Sequence, residues 1–269
     1  MKEYSKGFKP LEMMVVAAAR EIGDGEKVFV GMHWPILISF FAKRTHAPDV
    51  VFFFESGIIR DSLPDRLPGS WSISDPCICQ GSTMCGDSLD TLGMLLHRGF
   101  AEVGMLSASQ VDRHGNINTT CIGAYNKPAV RLPGGGGATD VASLSKRLVI
   151  VLDGHESRRL PEIVDFITSP GYLNGSDSRY KSGLRPGTGP IALITPLGVF
   201  RFTAKEREMC LSTCHPGVSI EKIIENTGWD LKVSNNVTET EPPTKEEIEI
   251  LRKMIKEAKE RYYSFPPET

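Results

Sequence analysis

Apolar residues in this chain fall into short unbroken runs and helical stripes, and the two patterns alternate from the N-terminus onward. Leu11, Met14, Val15, Ala18 and Ile22 recur at helical spacing behind Pro10, and Gly23-Asp24-Gly25 ends the element. Lys27 to Gly31 reads as a strand, Gly31-Met32-His33-Trp34 as a loop, and Pro35 to about Arg44 as a second helix. Val50 to Phe54 is a run of aromatic and β-branched residues, the pattern of a strand buried on both faces. Helix, strand, helix, strand in this order predicts a parallel sheet with helical crossovers.

Residues 60–80 are broken by Leu63-Pro64, Leu67-Pro68-Gly69 and Asp75-Pro76, which predicts an irregular excursion with at most one edge strand. Asp87 to His97 predicts a helix capped by Asp87 or Ser88, with Leu89, Leu92, Leu95 and Leu96 on its apolar side. Ala101 to Leu106 and Leu148 to Leu152 read as strands, with a short helix from Ala138 to about Leu144 between them. Further strands are expected at Ile163–Thr168, Ile191–Thr195, Val199–Phe202 and Glu208–Ser212, and a helix near Ser219–Glu225. A last helix, Thr244 to Arg261, has a Thr244/Glu247 capping box and an Ile248, Leu251, Met254, Ile255 stripe. No repeat or linker interrupts the pattern. Residues 1–269 are therefore expected to form a single α/β domain, an open and mostly parallel sheet with helices on both faces.

Composition adds exclusions. With 24% charged residues and a formal net charge of −2, nothing points to nucleic acid or an anionic membrane as partner. No apolar stretch has the ~18 residues that span a bilayer, and no secretory h-region follows Met1, so a cytoplasmic protein is expected. The six cysteines are too sparse for a disulfide scaffold. Cys77, Cys79 and Cys85 cluster, but a zinc site wants four ligands at other spacings, so buried thiols beside a loop are expected rather than a metal.

Two stretches carry candidate chemistry. Glu55-Ser56-Gly57 follows the buried strand directly, and an ionised carboxylate at the edge of an apolar layer must be solvated or paired. Glu55 either caps a helix or pairs with an arginine, or it is a nucleophile or base at a strand tip, where open α/β sheets bind ligands. Pro133-Gly134-Gly135-Gly136-Gly137-Ala138 lacks both the Gly-Lys-Ser/Thr of a P-loop and the third glycine of a dinucleotide fingerprint. Without Cβ atoms it can bring backbone N–H groups onto a ligand oxygen, and a helix starting near Ala138 adds its dipole. Asp112 to Asn118 is mostly turn chemistry, with His114 read as a surface turn residue. Arg158 and Arg159 in His155-Glu156-Ser157-Arg158-Arg159 offer two adjacent cations for an anion, but the stretch reads first as a solvated loop.

The ordered set resembles the β subunits of family I coenzyme A transferases, most of all the B subunit of glutaconate CoA-transferase. Its carriers are Glu55-Ser56-Gly57; Gln110-Val111-Asp112 with Gly115, Asn116 and Asn118; Gly136-Gly137-Ala138; Thr168-Ser169-Pro170-Gly171; and Glu225-Asn226-Thr227-Gly228 with Asp230. The resemblance implies the CoA-transferase (NagB/RpiA-like) fold and an acyl-CoA:carboxylate CoA-transferase. Glu55 would be the covalent nucleophile, and Gly136, Gly137 and Ala138 would serve the oxyanion and CoA. It implies no permanently bound cofactor, a CoA thioester and a carboxylic acid as substrates, and a hetero-oligomer with an α subunit. Some relatives are hydrolases, ring-opening enzymes or decarboxylases, and in that alternative Glu55 is a general base.

Overall fold

The computed structural model describes residues 2–69 and 71–259. Helix α1 (Pro10–Ala19) leads to strand β1 (Lys27–Val30), α2 (Trp34–Thr45), β2 (Val51–Phe53) and β3 (Ile58–Arg60). A short α3 (Pro76–Cys79), β4 (Met84–Cys85) and a π-helix (Leu89–Leu96) precede β5 (Val103–Ser107). Two small hairpins follow, β6 (Gln110–Val111) with β7 (Ile117–Asn118), and β8 (Cys121–Ile122) with β9 (Val130–Arg131). Then come α4 (Ala138–Leu144), β10 (Arg147–Val151), α5 (Ser178–Lys181), β11 (Pro190–Ile194), β12 (Gly198–Phe202), β13 (Met209–Cys214), α6 (Ile220–Glu225), β14 (Lys232–Glu239) and α7 (Lys245–Lys259).

Ten strands form one sheet in the order β14-β13-β12-β11-β10-β5-β1-β2-β3-β4. Its centre, β11 to β2, is parallel throughout, and antiparallel pairs appear toward both edges. Alternate residues of the central strands enter two separate cores. Val28, Val30, Phe52, Phe54, Val149 and Val151 pack toward α1, α2 and α7. Phe29, Phe53, Leu148 and Ile150 pack toward α4, α6 and the first hairpin. This is why those strands read as unbroken apolar runs: each face has its own helical layer.

Expectation and structure differ in several places. Helix α1 is enclosed from Glu12 to Ala19 rather than along one stripe, because α2 and α7 pack on it as well as the sheet. The Asp87–His97 segment is capped by Asp87, whose Oδ1 accepts from Leu89 N at 2.8 Å, but it winds as a π-helix. Its wider turn breaks the 3.6-residue stripe, and Leu89 is left 72% exposed. Ile163–Thr168 forms no strand; Ile163 and Ile167 are exposed, and the segment ends in a single bridge, Ile117 to Ser169. The edge strand β14 has no counterpart in the sequence pattern, since Lys-Val-Ser-Asn-Asn-Val-Thr-Glu offers no buried face to read. Arg60 and Arg179, both fully buried, are held by backbone carbonyls instead of acids. No helix of the described residues is long and apolar enough to cross a membrane.

Candidate active site

Glu55 sits in the tight turn between β2 and β3. Gly57 N donates to Phe54 O at 3.1 Å and Phe54 N to Ile58 O at 3.0 Å, which closes a three-residue hairpin loop. Gly57 takes φ +87°, and a Cβ there would lie 2.5 Å from Gly86 O, so this position of the motif admits only glycine. The turn is held from outside: Ser88 Oγ donates to Glu55 O at 2.8 Å, Gly86 N to Gly57 O at 2.9 Å, and Ser56 Oγ to Ile73 O at 3.3 Å. The backbone of the acid is thereby fixed before any ligand arrives.

Its side chain points to the glycine-rich segment. Gly137 N donates to Glu55 Oε2 at 2.8 Å, and no lysine, arginine or histidine of the described residues pairs with it. Gly136, at φ +50°, lies so close that a Cβ would come within 3.2 Å of Oε1; on Gly137 it would come within 2.7 Å of Oε2. Both glycines are needed for this approach. Ala138 lines the same space, while its amide donates to Gly135 O at 2.9 Å within the loop.

Glu55 and the loop share a cavity of about 790 Å³ at the carboxyl ends of the central strands. Its walls are apolar, with Phe29, Val30 and Leu106 prominent, and Met32, His33 and Asp153 also line it. Trp34 Nε1 donates to Asp153 Oδ2 at 3.0 Å, and Arg159 pairs with Oδ1 at 2.6 Å, so Arg159 is a rim brace rather than a solvated cation. A carboxylate held by one backbone amide in an apolar-walled cavity can act as a nucleophile or a base toward a bound carbonyl compound.

Residues 11–226 match the sequence profile of the family described as Coenzyme A transferase. The chain belongs to the coenzyme A transferase family. It is 43% identical over 241 residues to the B subunit of 3-oxoadipate CoA-transferase from Pseudomonas knackmussii, covering 90% of this chain and 91% of that one. It is 34% identical to the B subunit of glutaconate CoA-transferase from Acidaminococcus fermentans, covering 95% of each. The crystal structure of the latter enzyme superposes with a TM-score of 0.86 at 31% identity, over 98% of this chain and 100% of that one. The decarboxylase AibA/AibB superposes at 0.76 with 27% identity, over 91% and 94%.

The other motifs of this coenzyme A transferase chain build scaffold. Asp112 Oδ1 accepts from the amides of His114 and Asn116, closing the β6–β7 turn, and His114 is half-buried with Nδ1 against Arg207 O. Asn116 Oδ1 accepts from Gly171 N at 2.9 Å, joining two motifs 55 residues apart. Thr227 meets His155 Nε2 at 3.2 Å, in a buried network separate from the cavity lining. Cys77 is buried, and burial together with Asp75 pushes its thiol up to about 12, whereas Cys79 and Cys85 are exposed rather than buried as expected. Among the described residues no three histidine, cysteine or acidic side chains converge as metal ligands. Sequence reasoning misses Ser88: a serine at a helix start reads as a cap, and nothing local says that its hydroxyl faces a turn 33 residues earlier.

Proposed function

We propose that this chain is the B subunit of an acyl-CoA:carboxylate CoA-transferase and that Glu55 carries CoA as a covalent thioester. The observation that carries the reading is the Glu55 carboxylate, held on the Gly137 amide, in the lining of a mostly apolar cavity.

One carboxylate oxygen of Glu55 attacks the thioester carbonyl of the donor, and its C–S bond breaks to give an acyl-glutamyl anhydride and CoA thiolate. The thiolate attacks the glutamyl carbonyl, the anhydride C–O bond breaks, and the first acid leaves as its carboxylate. An acceptor carboxylate then attacks the glutamyl thioester, expelling CoA thiolate, which attacks the acceptor's acyl carbon and regenerates Glu55. No water enters the balance, and the thioester's energy is retained. Two of the four tetrahedral intermediates form on the acid's own carbonyl carbon. Gly137 N, already 2.8 Å from Oε2, is disposed to stabilise the oxyanion of those two.

The two CoA-transferase relatives are B subunits, and a partner α subunit completes the pocket in this reading. Closure over the cavity mouth excludes water, which otherwise hydrolyses the anhydride. The names of the same relatives support a dicarboxylic acid among the substrates. CoA comes and goes as substrate, no cofactor stays bound, and the reaction belongs to the cytoplasm, where acyl-CoA and free acids meet.

The test is covalent trapping. The chain co-purified with its partner is incubated with acyl-CoA and reduced with borohydride, and its peptides are mapped by mass. Reduction of Glu55 to the alcohol is the expected result. Transfer that proceeds with Glu55 unmodified overturns the proposal, and steady CoA release without an acceptor acid transfers the case to a hydrolase using Glu55 as base.

A further inference from the structure

Four successive glycines have no side chains with which to hold a shape, so a loop that must place one amide precisely against an acid has to be held from outside. The segment Thr168-Ser169-Pro170-Gly171 contributes no residue to the cavity lining, yet Thr168 reaches the start of the loop through Thr119, its middle directly, and the helix turn that follows it through Thr139. Its Oγ1 accepts from Thr119 N at 2.9 Å, and Thr119 O accepts from Gly134 N at 2.8 Å, where the loop opens. Its carbonyl accepts from Thr139 Oγ1 at 2.7 Å, in the first turn of α4, where the loop has closed. Its methyl lies beside Gly135, whose Cβ would come within 3.0 Å of Thr168 Cγ2.

Thr168 is itself tied down. Its amide donates to Ile117 O at 2.9 Å, and its hydroxyl meets Thr120 Oγ1 at 2.7 Å. Just downstream, the buried Arg179 donates to Gly171 O at 2.8 Å and to Ala142 O, near the far end of α4, at 2.8 Å. The segment thus grips both ends of the helix that follows the glycines.

We propose that Thr168 is a positioning residue for CoA transfer, setting the glycine-rich loop so that Gly137 N meets the Glu55 carboxylate. The proposal rests on the reading of Glu55 as nucleophile. Displacing an aligned donor by about 1 Å slows such reactions on the order of 100-fold.

The test uses the complete complex with Thr168→Val, which keeps the shape and the methyl but removes the acceptor, and Thr168→Ser, which keeps the acceptor. Valine is expected to lower kcat for transfer about 10- to 100-fold, with KM for acyl-CoA within about twofold, and to slow formation of the Glu55 thioester by the same factor. Serine restores kcat to within about fivefold of the native enzyme. If Thr168→Val prevents assembly, Thr139→Val removes the other link and must show the same split between kcat and KM. A native complex that labels Glu55 while the valine variants keep native kcat overturns this proposal alone. A native complex that never labels Glu55 overturns the nucleophile and this proposal together.

Discussion

Gly137 N and Glu55 Oε2 lie 2.8 Å apart, although 82 positions separate the two residues in the chain. The contact joins the turn between β2 and β3 to the segment that opens α4, and it exists because neither Gly136 nor Gly137 carries a Cβ. Loosening that junction from either side should cost transfer.

Gly137→Ala separates fold from chemistry. Gly137 has φ −78° and ψ 0°, which alanine adopts without strain, but the new methyl would meet Glu55 Oε2 at 2.7 Å and Leu92 Cδ1 at 3.0 Å. The variant is expected to melt close to the native temperature while kcat falls about 100- to 1,000-fold, the loss typical of a removed oxyanion donor. Gly134→Ala is the comparison: at φ +100° with nothing within 4 Å of its Cβ, it should cost about 1 kcal/mol of stability and less activity than Gly137→Ala. Calorimetry and steady-state transfer assays on the two variants check both halves.

Glu55→Asp withdraws the carboxylate by about one methylene from Gly137 N. Under the proposed mechanism the shortened side chain should misalign with the acyl carbon and leave room for water, lowering transfer on the order of 100-fold and raising the share of acyl-CoA that is hydrolysed. Product analysis in the presence of an acceptor acid measures the partition. Native transfer with no added hydrolysis would contradict the geometry.

Gly57→Ala attacks the turn instead of the loop. Its Cβ would sit 2.5 Å from Gly86 O and 2.6 Å from the Asp87 backbone, and its φ of +87° is strained for any L side chain. Destabilisation of several kcal/mol is expected, with loss of soluble protein, because the clash is with backbone that cannot swing aside. Expression yield and urea melts check this.

Acid should weaken the fold through two buried histidines far from the chemistry. His155 lies between Thr195 Oγ1 at 2.9 Å and Thr227 Oγ1 at 3.2 Å, and His215 Nε2 faces Thr195 O at 2.9 Å. Burial pushes each imidazole down to about 4 from its ordinary 6.5. Between those values the unfolded chain binds more protons than the folded one, so stability is full above pH 6.5 and falls as pH drops toward 4. By pH 5 each histidine should contribute about 2 kcal/mol to that loss. Urea melts from pH 7.5 to 5 measure it, and His155→Gln should remove roughly half of the slope.

The strand under Glu55 and the glycine run were legible because both are local: five large apolar residues from Val50 to Phe54 can only be a buried element, and consecutive glycines advertise backbone. Helices that present one face to a core were equally plain, as Leu251 and Met254 in α7 show. Local pattern fails where periodicity is lost. The π-helix changes the turn on which a leucine stripe is counted, and β14 is an edge with no face to bury. The amino-acid order therefore settles the buried central strands, which residue types stand at their tips, and the family. That Gly137 reaches Glu55, that Ser88 holds the turn, and that Thr168 braces the loop follow from the order of ten strands and the crossovers that cover both sheet faces. Those contacts come from burying two cores at once, a condition on the whole chain that no short window of residues contains.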